Sequence, residues 1–180
     1  MSSYLRHGPP THREQPTPRD MPRSVAGGHR SDSVNAAAAR ERFAAVRVAR
    51  LATVSPAGHP HLVPITFALL GDDMLVTAVD HKPKRTTALQ RVANLAARPD
   101  VCVLADHYSE NWDELWWARA DGRARVLGPG EEEATRAAAL RALIARYDQY
   151  RERPPHGAVI VVAVARWSGW SAASTGEDRR

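Results

Sequence analysis

The sequence predicts a mainly β protein with α-helices, in which six mostly antiparallel strands form a small closed barrel with helices at its periphery. Three observations carry this. Six apolar segments of strand length are separated by turn-forming residues. Two successive tight connections, Ser55-Pro56-Ala57-Gly58 and Gly71-Asp72-Asp73, join the first three segments, and links that short make antiparallel hairpins. The remaining apolar patterns have helical spacing and fall between strands, which suits helices packed around one barrel.

Residues 1–33 hold five prolines, many Ser, Thr and Gly, and charges of both signs. They lack apolar periodicity and are expected to be a disordered tail. A single cofactor-binding domain is expected over 34–172, followed by a flexible tail at 173–180. Ser33 or Asn35 suits a helix N-cap, and Ala39, Phe43 and Val46 give residues 36–48 one buried helical face. Arg50 to Val54 is the first strand. His61 to Leu70 is the second, with Pro64 requiring an edge or a bulge. Met74 to Val79 is the third. Asp80 to Thr87 is a polar, basic loop. Leu89, Val92, Ala93 and Ala96 mark a helix that ends at Arg98-Pro99-Asp100. Val101 to Ala105 and Leu115 to Leu127 are strands, the second bent at Gly122, and residues 107–113 between them form a polar loop. Glu131, Glu132 and Glu133 suit the positive end of a helix whose apolar face is Leu140, Leu143, Ile144 and Tyr147. Pro154-Pro155 stops that helix, and Val159 to Arg166 is the last strand.

Several function classes lose support from composition. No apolar run approaches the roughly 18 residues that cross a bilayer, and the N-terminus has no apolar signal region, so no membrane role is expected. Cys102 is the single cysteine; it excludes an internal disulfide and fits a reducing cytoplasm, and it reads as a strand residue without a basic neighbour to activate it. The net charge is +5 and the pI about 10.0. The charges are dispersed and not interleaved with aromatics, so nucleic acid is not the expected partner. His59 and His61 lack a third ligand at a plausible spacing, and no metal is expected. Gly-x-Ser-x-Gly, P-loop and Gly-x-Gly-x-x-Gly patterns are absent. No acid–base pair stands out, so no catalytic residue is assigned.

Three segments, in order, carry a resemblance. Arg50 to Phe67 (RLATVSPAGHPHLVPITF) has a short strand ending in Ala-Thr, a turn, and a strand holding Val-Pro-x-x-Phe. Asn94 to Val101 (NLAARPDV) is a helix-to-strand junction. Trp117 to Ala124 (WARADGRA) is a strand with a charged residue and a Gly-x-Ala bend. Together they resemble the pyridoxamine 5′-phosphate oxidase-like split β-barrels that bind FMN or the deazaflavin coenzyme F420. Residues 81–87 (HKPKRTT), then His107-Tyr108 and Leu115-Trp116-Trp117, look most similar to the F420-dependent branch. Where many relatives have Lys-x-Arg-Asn before the Leu, this chain has Arg91-Val92-Ala93-Asn94, with its cations moved upstream to 82–85.

The resemblance implies a six-stranded split barrel acting as a homodimer, because an exposed groove on a small barrel buries a large ring poorly and two subunits close over it. It implies that reduced F420 gives a hydride to a small organic acceptor. FMN in the same fold, or a non-catalytic F420 carrier or sensor, is the alternative. Val63, Pro64, Ile65 and Thr66 match the strand that edges the cofactor ring. Lys82, Lys84 and Arg85, ahead of a helix starting near Thr86 or Thr87, with Arg91 a turn further on, suit the anionic phosphodiester and glutamate tail. Protons would come from solvent or a side chain such as Tyr108. Trp116 and Trp117 must face opposite sides of their strand. Trp167 and Trp170, placed after the last strand, have either a packing role or one near the partner's cofactor.

Overall fold

The computed structural model describes residues 33–79 and 89–172. A two-residue strand β1 (Ser33–Val34) precedes helix α1 (Ala36–Ala45). The Asn35 side chain accepts from the Ala38 N–H at 2.9 Å, which makes it the N-cap. The helix ends at Ala45, earlier than residue 48, because Val46 is already extended and leads into β2 (Val48–Val54). β3 (Pro60–Thr66), β4 (Ala68–Leu70) and β5 (Met74–Ala78) follow. Next come helix α2 (Gln90–Ala97), β6 (Asp100–His107), a single 3₁₀ turn at Trp112–Glu114, and β7 (Trp116–Leu127). Helices α3 (Glu133–Arg146) and α4 (Asp148–Glu152) precede β8 (Val159–Ser171).

All pairings are antiparallel, in the order β3-β2-β6-β7-β8-β5-β4, with β1 beside β8. The expectation of an antiparallel, mainly β curled sheet with helices holds. Its strand number is corrected from six to eight. The expected single strand His61–Leu70 breaks at Phe67, whose N–H donates to the Tyr147 hydroxyl at 2.9 Å and whose carbonyl lies 2.8 Å from that same oxygen. With its backbone groups turned to a side chain, Phe67 leaves the ladder. The two halves of the broken strand then serve different edges: Thr66 pairs with Val48 on β2, and Ala68 with Val76 on β5. The sheet therefore curls so that its two ends meet in one bent segment. The eighth strand is β1, which adds Val34 opposite Gly169.

A second correction concerns the last strand, which continues past Arg166 to Ser171 and so contains Trp167 and Trp170. A bulge between Asp121 and Gly122 on the β7–β8 ladder makes this possible, with Asp121 opposite Arg166 and Gly122 opposite Val164. A Cβ on Gly122 would stand 2.2 Å from the Ala163 carbonyl oxygen, so the bend expected there requires glycine.

The inner face of the sheet holds one core, including Leu51, Ile65, Val103, Ile160 and Val162, with Phe43 of α1 and Leu95 of α2. A second core lies on the outer face, where Ala139, Leu143, Tyr147 and Tyr150 of α3 and α4 meet Ala68, Val76, Leu127, Val159 and Val161. Among the described residues no helix is long and apolar enough to cross a membrane.

Candidate functional site

β3 stands at an end of the sheet and pairs only with β2, so Pro64, opposite Arg50, costs no ladder bond on its free edge. The four residues Val63 to Thr66 divide between faces. Ile65 is buried and Val63 packs on the inner core, whereas Pro64 is exposed and Thr66 points outward. The Thr66 hydroxyl is held 2.8 Å from the Tyr150 hydroxyl. A ligand lying along this edge meets the side chains of Pro64 and Thr66 and only the backbone of Val63 and Ile65.

Lys82, Lys84, Arg85, Thr86 and Thr87 lie outside the described residues. Arg91 is half-buried in the first turn of α2. That helix begins at Gln90, after an extended Leu89 with no side-chain cap, rather than near Thr86 or Thr87. What fixes α2 is a buried polar chain that sequence reasoning missed. Gln90 donates to the Asn94 side chain at 2.8 Å, and Asn94, fully buried, donates to the Thr53 hydroxyl of β2 at 3.0 Å. His61 Nδ1 lies 3.4 Å from the same hydroxyl. This chain anchors α2, with Arg91 in its first turn, beside β2.

Beyond β3 the outer face of the sheet continues over β2, β6, the first half of β7 and the second half of β8. Register puts Leu62, Ala52, Cys102, Asp121 and Arg166 in one row across it, and Pro64, Arg50, Leu104, Arg119 and Ser168 in the next. Among the described residues no helix buries this half. Leu62 is 63% exposed and Val48 50%, and Tyr108 and Trp112 are exposed at its end.

The charges on this face are paired. Arg50 binds Asp106, and Asp121 accepts from both Arg119 and Arg166 at 2.9 Å. Burial works to raise the Asp121 pKa, but the hydrogen bonds and charge of the two guanidinium groups outweigh it and hold the carboxyl below its ordinary value. Cys102 sits beside it, and burial, reinforced by the Asp121 charge, pushes the thiol up, which keeps it protonated and poorly nucleophilic.

Two adjoining cavities open here and share Tyr108 and Trp117. The larger, about 560 Å³, is also lined by Val34, Trp167, Ser168 and Trp170. The smaller, about 310 Å³, adds Leu104, Asp106 and Arg119. The larger follows from the pairing pattern: on one side of β8, β5 reaches only Ala163 and β1 begins only at Gly169. The two tryptophans of β7 separate as alternation requires, with Trp116 on the inner core and Trp117 on the cavities. Trp167 has both roles, meeting Phe43 edge-on at 5.2 Å and lining the larger cavity.

A curled antiparallel sheet closed by one bent strand, with an edge strand beside an uncovered outer face, is the split-barrel class of architecture. The pyridoxamine 5′-phosphate oxidase family profile matches residues 36–171, and the chain belongs to that family. Similar solved structures include a conserved hypothetical protein from Mycobacterium tuberculosis, 21% identical with a TM-score of 0.63, over 84% of this chain and 94% of that one. A FAD-binding protein from Mesorhizobium loti is 21% identical with a TM-score of 0.58, over 76% and 94%. A heme-binding protein from Mycobacterium smegmatis is 25% identical with a TM-score of 0.50, over 76% and 58%. No curated protein matches the chain.

Proposed function

We propose that this chain is a cytoplasmic oxidoreductase in which reduced coenzyme F420 gives a hydride to a small organic acceptor, and that two copies of the chain meet across the uncovered outer face. The observation that carries the reading is that face itself, which lies next to the β3 edge in a chain of this family. Each cavity on it is open, so a tricyclic ring gains enclosure only from a second copy.

The residues present fit an anionic cofactor. Three guanidinium groups, from Arg50, Arg119 and Arg166, stand against two carboxylates, Asp106 and Asp121, which leaves the face cationic. Arg91 in the first turn of α2, with Lys82, Lys84 and Arg85 in the preceding segment, supplies further charge for a phosphodiester and glutamate tail. When bound, the deazaflavin supplies the hydride chemistry. The chain's own residues position it: Pro64 and Thr66 present a fixed edge, Tyr150 holds the Thr66 hydroxyl, and Asp121 orients Arg119 and Arg166. Apolar Leu62, Leu104 and Trp117 keep water from the contact.

A flavin in place of F420 is the second reading, favoured by the similarity to a FAD-binding protein; a non-catalytic F420 carrier is the third. Parallel titrations with F420, FMN, FAD and heme, followed by cofactor fluorescence or heme absorbance, separate them. F420 is expected to bind tightest, and its reduced form to be reoxidised when an acceptor is added. Tight FMN or FAD binding without F420 binding replaces the cofactor, tight heme binding alone overturns the reading, and F420 that binds but is never reoxidised identifies a carrier.

A further inference from the structure

Two polar side chains with almost no exposure, Asn94 at 0% and Thr53 at 1%, meet between α2 and β2. The Asn94 amide donates to the Thr53 hydroxyl at 3.0 Å, and its carbonyl oxygen accepts from the Gln90 side chain at 2.8 Å. The Thr53 hydroxyl proton turns to His61, whose Nδ1 and carbonyl oxygen lie 3.4 and 3.5 Å away. Donation therefore runs one way, from Gln90 through Asn94 and Thr53 to His61. A buried amide of this kind adds little to stability over an apolar side chain of the same shape, because desolvation offsets its hydrogen bonds. What it supplies is direction, since each bond fixes where its partner sits. Helix α2 needs that. It is eight residues long, Leu89 at its N-cap offers no side-chain cap, and Leu95 is its only buried residue besides Asn94. One apolar anchor fixes neither the rotation of so short a helix nor its height along the axis. A slip of one residue turns a helix by about 100° and moves it by about 1.5 Å. Arg91 precedes Asn94 by three positions and so shares its side of the helix, half-buried. The bonds that hold Asn94 therefore also set where Arg91 starts.

We propose that Asn94 is a positioning residue: its amide, held by Thr53, sets the register of α2 against β2 and thereby aims Arg91 at the anionic tail of the cofactor. The register stands on the hydrogen bonds alone. The tail as the group that Arg91 meets rests on the proposed function.

The test replaces both partners together by apolar side chains of similar shape, Thr53→Val with Asn94→Leu, so that no buried polar group is left stranded between them. Calorimetric titration of the full chain measures its affinity for F420 and for the same deazaflavin nucleoside without the phosphodiester and glutamates. The double variant is expected to melt close to the wild type and to bind F420 at least about tenfold more weakly, the loss of one charge-assisted hydrogen bond. Its affinity for the tail-less compound should change less than about twofold. Adding Arg91→Ala should cost nothing further, because Asn94 acts through Arg91. If the double variant fails to fold, Thr53→Ser and Thr53→Ala decide the matter, since they differ only in the hydroxyl and the second alone should lose F420. Unchanged F420 affinity, equal losses for the two compounds, or a further full loss on adding Arg91→Ala overturns the positioning role and leaves the oxidoreductase function standing. A wild-type chain that binds neither compound removes both.

Discussion

β8 passes through both halves of the outer sheet face, and the contrast between them organises the molecule. Val159 and Val161 lie fully buried under α3 and α4, whereas Arg166, Ser168 and Trp170, outward on the same strand, face ion pairs and open cavities. The covered half gains on the order of 1.5–3 kcal/mol for each large apolar side chain it buries. The uncovered half instead pairs charge with charge at a partly wet surface, where ion pairs contribute little to folding. One half holds the fold and the other is left available for contact. The bulge at Gly122 is where β7 and β8 change from one to the other.

Mutations in the two halves should separate binding from stability. Changing Lys82, Lys84 and Arg85 together to Ala is expected to cost F420 at least about 4.5 kcal/mol, ~2000-fold in affinity, at about 1.5–3 kcal/mol per charge-assisted bond. The thermal midpoint should stay where it was; cofactor fluorescence and a melting curve on one sample read both. Leu143→Ala should do the opposite, costing about 3 kcal/mol in denaturant unfolding because Leu143 is fully buried in the second core. Gly122→Ala should cost a similar amount, about 3 kcal/mol, since backbone rather than a movable side chain occupies the space its Cβ would need.

Tyr147→Phe is a finer probe. Its hydroxyl takes the Phe67 N–H and lies 2.7 Å from the Arg47 carbonyl, so its loss should cost about 2 kcal/mol and loosen the β3–β4 break, as faster amide exchange at Phe67 would report. The smallest effect belongs to Asp121. Its folded pKa is depressed, so its contribution to stability is present above the unfolded value and is lost as pH falls through the folded one. Asp121→Asn should lower the thermal midpoint slightly at neutral pH and flatten its decline on the acid side, below about pH 4, where the wild-type carboxyl protonates.

Hairpins, helix periodicity and the need for glycine at position 122 were legible because each is written locally, in turn residues and spacing. The break at Phe67 was not, because it depends on a hydroxyl supplied 80 residues away by Tyr147. The continuation of β8 through Trp167 and Trp170 was hidden for a related reason: Gly169 and two serines interrupt the apolar pattern, and pairing with β7 and β1 keeps the strand extended. At the candidate site, the edge position of Pro64 followed from the missing N–H. The Arg50–Asp106 and Arg119–Asp121–Arg166 groups join residues on different strands, so register had to be known first. Alternation from Trp117 was the available signal, since residues 117, 119 and 121 share a face.

Under the proposed function, the uncovered half of the sheet is a cofactor surface shared by two chains. Sedimentation of the chain with F420, followed at the cofactor's visible absorbance, measures bound cofactor and particle mass together. Cofactor travelling with a particle of two chains is the predicted result. Cofactor left behind while the protein sediments as a single 19.8 kDa chain would contradict it.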